Sequence, residues 1–291
     1  MSRRGWFLFV LVGFLWGIPY LFIKVAVDPD NGFTPAIVVF LRTAIGAAIL
    51  IPIAIKQKAL MPAIRGIKYV APYALLEMIG PWILIGTAEQ KISSGLAGLL
   101  IASVPIWATI FASMRGDKTV WHRTRLMGIL LGFIGLVAVV GIESIKGGAD
   151  ALSIFMVLIA AVGYSYAVMM VQTALPGVSG IAINGLAMAI SALFYLPFTV
   201  VQWPAHEISM GAVNSVIGLG ILSTGAAFVA FFTLSAIIGV ARASLVTYLN
   251  TAFAVVLGVI ILNEPFTTGM ALGLPLVLIG SYLASRKRAT A

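Results

Sequence analysis

The run Ser93-Ser94-Gly95-Leu96-Ala97-Gly98-Leu99-Leu100-Ile101-Ala102-Ser103-Val104-Pro105-Ile106-Trp107 continues without a charge to Met114. It is long enough to cross a hydrocarbon core as a helix, which takes about 20 residues at a rise of about 1.5 Å each. Yet a proline stands near its middle, where it removes one helical hydrogen bond and frees the carbonyl four residues earlier. In lipid that carbonyl must find a partner on a neighbouring helix or in water. Gly95, Ala97 and Gly98 let another helix approach closely, and Trp107 adds a broad aromatic face. The stretch reads as the wall of a cavity inside a helix bundle.

The rest of the chain has the composition such a bundle requires. Its 291 residues are 61% hydrophobic and 9% charged, with a mean hydropathy of +1.11. That leaves too little polar surface to coat a soluble globule. Cysteine is absent, and His122 and His206 fall in expected loops, so neither a metal site nor a cofactor is expected. The net charge of +9 comes mainly from Lys and Arg at segment ends. It is a topology signal rather than a nucleic-acid footprint. Ser2-Arg3-Arg4 and the apolar run after it resemble a secretory leader, but the run reaches Lys24 and reads as a retained first span.

Charged and Pro/Gly/Asn-rich joints divide the chain into ten apolar segments, at residues 5–27, 34–55, 69–88, 94–114, 124–142, 152–172, 180–202, 212–233, 240–262 and 268–285. With the N-terminus inside, fourteen of the eighteen Lys and Arg fall on the inner side: Arg3, Arg4, Lys56, Lys58, Arg65, Lys68, Arg115, Lys118, Arg123, Arg125, Arg242, Arg286, Lys287 and Arg288. Lys24, Lys91 and Lys146 fall outside, and Arg42 lies within a span. This asymmetry predicts that both termini are cytoplasmic. The loops are too short to hold a catalytic or receptor domain.

At an offset of 145 residues, Leu41, Ala44, Ile45, Ala47 and Pro52 recur as Leu186, Ala189, Ile190, Ala192 and Pro197. Gly80 recurs as Gly225, and Gly128, Leu131, Ile134 and Gly135 recur as Gly273, Leu276, Ile279 and Gly280. The expected organisation is two five-span halves, 1–145 and 146–291, in one membrane bundle. An odd number of spans per half inserts the second half upside down.

No HExxH, G-x-S-x-G, Walker loop or intramembrane aspartate pair occurs, which argues against an enzyme. Arg42 lies a third of the way into the second span, and Glu77 near the middle of the third. A charge at a helix centre costs about 2.5 to 3.5 kcal/mol on translocon scales, so both are expected to face a bundle interior or an aqueous cavity. There Glu77 meets an amino group or a proton, and Arg42 an anionic group. Alternatively the two neutralise one another, or bond to carbonyls freed near Pro72 and Pro81. Trp16, Tyr20, Trp82, Trp107, Tyr164, Tyr248 and Asn250 lie at mid-span, away from the interfaces where Trp and Tyr collect. They are expected to line a substrate cavity, with packing between helices as the alternative for each. Gly128, Gly132 and Gly135, with Gly273 and Gly280, read as a motif for close helix crossing or dimerisation.

Leu15-Trp16-Gly17, Ser94-Gly95-Leu96-Ala97 through Val104-Pro105, and Val240-Ala241-Arg242-Ala243 through Asn263-Glu264-Pro265 together resemble the drug/metabolite transporter superfamily, specifically its EamA-type members. The resemblance implies an all-α integral membrane protein of the bacterial inner membrane, with ten transmembrane helices as an inverted five-plus-five repeat. Two departures stand out. Asn250 occupies the place where the family's ninth helix usually carries a proline, and Arg115-Gly116-Asp117 stands where the first half would match Glu264.

Within the family the chain is similar to YddG-type bacterial exporters, which the resemblance associates with aromatic amino acids. The expected function is a secondary transporter exporting amino acids, aromatic or other neutral, or related metabolites by alternating access. Its partners are then a small-molecule substrate and the bilayer. The substrate sits between the halves against Trp16, Tyr20, Glu77, Trp82, Trp107, Tyr164, Tyr248 and Asn250, with Glu77 and Arg42 available for ion or proton coupling. A multidrug or cationic-compound exporter is the alternative, followed by a membrane scaffold or an intramembrane enzyme. A monomer is compatible with the sequence.

Overall fold

The computed structural model describes residues 2–116, 118–145 and 150–285, and every regular element among them is helical. Asp117, Lys146, Arg286, Lys287 and Arg288, which entered the topology and motif arguments, lie outside the described residues. All ten expected segments form helices: α1 (Arg3–Ala26), α2 (Pro35–Lys56), α3 (Ile67–Glu89), α4 (Ser94–Met114), α5 (Arg123–Ile145), α6 (Ala151–Ala174), α7 (Gly180–Val201), α8 (Met210–Ile238), α9 (Val246–Ile261) and α10 (Thr268–Ser285). The first eight contain stretches long and apolar enough to cross a membrane, while α9 and α10 are shorter apolar helices. A short helix, Leu60–Arg65, precedes α3, and one helical turn, Val240–Ala243, precedes α9.

Several starts are fixed by local chemistry. Ser2, Ser93, Asp150 and Ser209 each accept a backbone N–H in the first turn of the helix that follows. Such caps contribute about 1 kcal/mol each. Asp150 accepts both the amide and the hydroxyl of Ser153, at 2.9 and 2.8 Å, and these bonds hold its carboxyl below the usual range.

Three helices depart from regular geometry at depth. In α3 the turn Leu75–Ile79 widens to π geometry, and in α8 the turn Leu219–Ala226 does the same. In α4 the helix breaks at Ala102 and Ser103, just before Pro105, as the opening stretch predicts. The loosened backbone is satisfied by hydroxyls from other helices: Ser281 of α10 donates to the Ala102 carbonyl at 2.7 Å, and Ser165 of α6 donates to the Val104 carbonyl at 2.8 Å. This is how lipid-embedded backbone tolerates a break. The chain enters α9 through Gly239, at φ +82°, and the short turn that follows it.

Large apolar side chains such as Leu193, Val137 and Ile260 are 70%, 68% and 70% exposed. An exposed apolar surface of this extent is that of a bundle wrapped by lipid. Inside, α2 packs on α7, α5 on α10, α1 on α9, α4 on α6, α3 on α6, α1 on α8, α2 on α8 and α3 on α7. The α5–α10 contact runs through Gly128, Gly132, Gly135, Gly273 and Gly280, where added methyl groups would meet the backbone or side chains of the facing helix or of α4. The glycine motif is therefore used within the chain for close helix crossing, which leaves no need for a second copy.

Candidate functional site

Arg42 lies at the centre of a buried polar cluster. Its guanidinium carbon stacks 3.7 Å from the centre of the Trp82 ring, and its Nε donates to Thr224 Oγ1 at 2.9 Å. Thr224 is available there because the π turn of α8 carries it against α2, where an added methyl on Gly46 would meet Thr224 Cγ2 at 2.6 Å. The Trp82 indole lies beside Tyr164, and Tyr20, Tyr164 and Glu89 all lie within electrostatic reach of Arg42. Arg42 is 7% exposed and has no ion-pair partner among the described residues. A desolvated cation over indole gains about 2 kcal/mol. A buried charge without a counter-ion costs several kcal/mol. The arrangement therefore leaves the guanidinium stacked and held, with most of its donor capacity unused.

The alternative in which Arg42 and Glu77 neutralise one another does not occur, since no ion pair joins them. Glu77 sits in the π turn of α3, facing Tyr73 and Tyr164, and its Oε2 is enclosed without a hydrogen-bond partner. The same turn is clasped from two sides: Tyr195 of α7 donates to the Ile79 carbonyl at 2.8 Å, and Gly163 of α6 packs so closely that a methyl there would lie 2.8 Å from the Leu76 carbonyl. Nearby, the Tyr73 hydroxyl donates to Asn184 Oδ1 at 3.1 Å.

The structure adds a second deep carboxylate to Glu77. Glu89, at the end of α3, is fully buried, and neither of its carboxylate oxygens has a partner. It fell one residue beyond the expected end of the third span, and an acid at a span boundary ordinarily reads as a solvated end.

Of the expected lining residues, Tyr20, Trp82 and Tyr164 come together around Arg42, with Glu77 adjoining Tyr164. The others have different neighbours. Trp16 packs on Phe231 and Phe228 of α8, with ring centres 4.7 and 5.7 Å away. Trp107 donates to Ser103 Oγ at 3.2 Å and lies edge-on to Phe133. Tyr248 meets Tyr282 of α10 edge-on, at 6.2 Å. Asn250 is buried under Gly17 of α1, and its amide oxygen accepts from Thr251 at 3.3 Å.

One end of the bundle carries a cleft of about 270 Å³ lined by Lys24, Val25, Asp28, Asn31, Leu262 and Glu264. Lys24 Nζ donates to the backbone carbonyls of Glu89 and Ile92 at 2.6 and 3.0 Å, which places a cation where the end of α3 exposes its carbonyls. Glu264 lies just after α9, where Asn263 turns the chain through φ +53°. Its carboxylate accepts from the Ser94 amide and hydroxyl, both at 2.8 Å, and from the Gly95 amide at 3.2 Å. A carboxylate from the segment after α9 thus caps the first turn of α4. Gly258 makes room for it, since a methyl there would lie 2.7 Å from Ser94 Oγ.

Comparison with known proteins places this geometry in context. A solved protein crystal structure superposes with a TM-score of 0.66 at 17% identity, over 97% of this chain and 98% of its own, which speaks for the fold. An uncharacterized transporter of Archaeoglobus fulgidus is 25% identical over 98% of this chain and its full length. The uncharacterized transporter YoaV of Bacillus subtilis is 26% identical over 94% of each chain. The uncharacterized inner membrane transporter YedA of Escherichia coli is 24% identical over 72% of this chain and 79% of its own. The model of the EamA-like transporter family matches twice, at residues 3–141 and 151–286. The chain is a multi-pass membrane transporter belonging to the EamA-like transporter family.

Proposed function

We propose that this transporter is a secondary exporter of amino acids, aromatic or other neutral, or of closely related metabolites, and that it works by alternating access in the inner membrane. The observation that carries the reading is the Arg42 cluster. A stacked, under-used guanidinium lies against Trp82 within reach of Tyr20 and Tyr164, and Glu77, whose Oε2 has no partner, adjoins Tyr164. Buried charges without partners are costly and mark substrate or ion pathways. An α-carboxylate matches the Arg42 donors, and a flat side chain matches the faces of Trp82, Tyr20 and Tyr164.

Two inverted five-helix halves, 1–145 and 146–291 with both termini cytoplasmic, complete the proposal. Its supports are the two family-model matches and the two π turns, since residues 75–79 shifted by 145 become 220–224. The helix pairs also fall into counterparts: α1–α9 with α6–α4, α3–α6 with α8–α1, and α2–α8 with α7–α3. The name of the relative YedA supports the inner-membrane location.

Purified protein in liposomes, loaded with unlabelled phenylalanine and diluted into radiolabelled phenylalanine, tests the substrate class. Exchange that Arg42→Gln strongly reduces is expected, and no exchange of any amino acid sinks the reading. A cationic-compound exporter is the competing reading, favoured by the unpartnered Glu77 Oε2 beside Tyr73 and Tyr164. Dye efflux lost in Glu77→Gln, with no amino-acid exchange in the wild type, would select it.

A further inference from the structure

The transport reading assigns no task to Glu89, although it is the acid most withdrawn from solvent among the described residues. Its side chain has no exposed surface and neither oxygen has a hydrogen-bond partner. Yet its backbone carbonyl holds Lys24 at 2.6 Å, and Lys24 lines the terminal cleft together with Asp28, Asn31 and Glu264. On the other side Glu89 is in electrostatic reach of Tyr20 and Arg42. It therefore lies behind the cleft residue Lys24, between the cleft and the proposed substrate cluster.

The charged and titratable groups around it come from several elements. Lys24 and Tyr20 face it from α1, Arg42 from α2, and Glu264 from the segment after α9. Helix α4 carries no charged residue, and the acid at the start of α6, Asp150, lies 3.8 Å from Lys91 in an exposed ion pair. Among the described residues no cation is bonded to the Glu89 carboxylate: Lys24 is engaged with backbone carbonyls, and Arg42 with Thr224 and Trp82. A metal cation needs a shell of about six oxygen ligands. A proton needs a single lone pair, which is what an unpartnered carboxylate offers.

We propose that Glu89 is a proton-binding site loaded through the Lys24–Glu264 cleft, and that its loading couples proton entry to substrate export; the coupling rests on the transporter reading above. One proton adds to one carboxylate oxygen and neutralises the buried charge. It leaves on the opposite side during the return step, so each cycle makes and breaks one O–H bond and carries one proton against one substrate.

Infrared difference spectra of the full chain in detergent, recorded through a pH titration, read carboxyl protonation without any substrate. A carboxylic-acid carbonyl band shared by wild type and Glu77→Gln and lost in Glu89→Gln is expected. The same band undiminished in Glu89→Gln overturns the assignment. Glu89→Asp keeps the carboxyl and is expected to keep the band, which separates a lost proton from a lost fold. In acid-loaded liposomes, wild type is expected to accumulate radiolabelled phenylalanine. Glu89→Gln is expected to lose that accumulation while still exchanging internal for external phenylalanine. Accumulation retained in Glu89→Gln, or driven by a sodium gradient, overturns the coupling. Absence of exchange in the wild type overturns the amino-acid reading instead, and the infrared titration then decides Glu89 by itself.

Discussion

The two π turns use one backbone device for opposite chemistry. In α3 the widened turn presents Glu77, an acid with an unpartnered oxygen, and it is pressed against backbone of α6 at Gly163. In α8 the widened turn presents Thr224, a neutral hydroxyl that holds Arg42, and it is packed against side chains of α2 at Ile45 and Ile49. A π turn shifts the register of one helix face and leaves carbonyls to be satisfied by neighbours. The charges Arg42, Glu77 and Glu89 come from α2 and α3, while α6 and α8 supply the neutral hydroxyls of Tyr164 and Thr224. Two turns of similar backbone geometry thus carry an uneven electrostatic load.

The largest test of that contrast is Arg42→Gln, which keeps one donor for Thr224 but removes the cation. Amino-acid exchange is expected to fall about 100-fold, the equivalent of roughly 3 kcal/mol, the upper end for a charged hydrogen bond. Liposome exchange rates measure it, and an unchanged rate removes Arg42 from the site. Next, Gly163→Ala drives a methyl into the Leu76 carbonyl and is expected to destabilise by about 1 to 3 kcal/mol, as overpacking does. Gly225→Ala, which meets the movable end of Ile49, is expected to cost less. Thermal midpoints in detergent compare the two, and equal losses would mean that the turns are equally constrained.

Thr224→Val leaves the Arg42 Nε without its acceptor and is expected to lower stability by about 1 to 2 kcal/mol. The smallest effect belongs to Glu77→Gln. Its enclosed oxygen has no bond to lose, so the thermal midpoint is expected to stay level or rise. A clear fall would mean that the acid has a partner after all.

The ten segments were legible because lipid demands long apolar helices, and hydropathy reads that demand directly. The break in α4 was legible from Pro105. The π turns were not, since Leu75–Ile79 and Leu219–Ala226 carry no residue that marks a widened turn. The site was half legible for a related reason. Mid-span depth singled out Trp16, Tyr20, Trp82, Trp107, Tyr164 and Tyr248, but depth is a single coordinate. Whether a ring faces Arg42 or a neighbouring phenylalanine depends on its azimuth, which a π turn in α3 and a break in α4 both reset. Thus Trp82 reached Arg42, while Trp107 turned to Phe133.

The glycine seam between α5 and α10 has a use as an internal ruler. Helices in contact backbone to backbone have no layer of side chains to repack, so they have few ways to slide past one another. Spin labels at the exposed positions Val137 and Ile279 would report one fixed separation throughout a transport cycle. Every other label pair can be calibrated against that constant, which turns the most tightly closed part of the protein into the reference frame for watching the rest of it open.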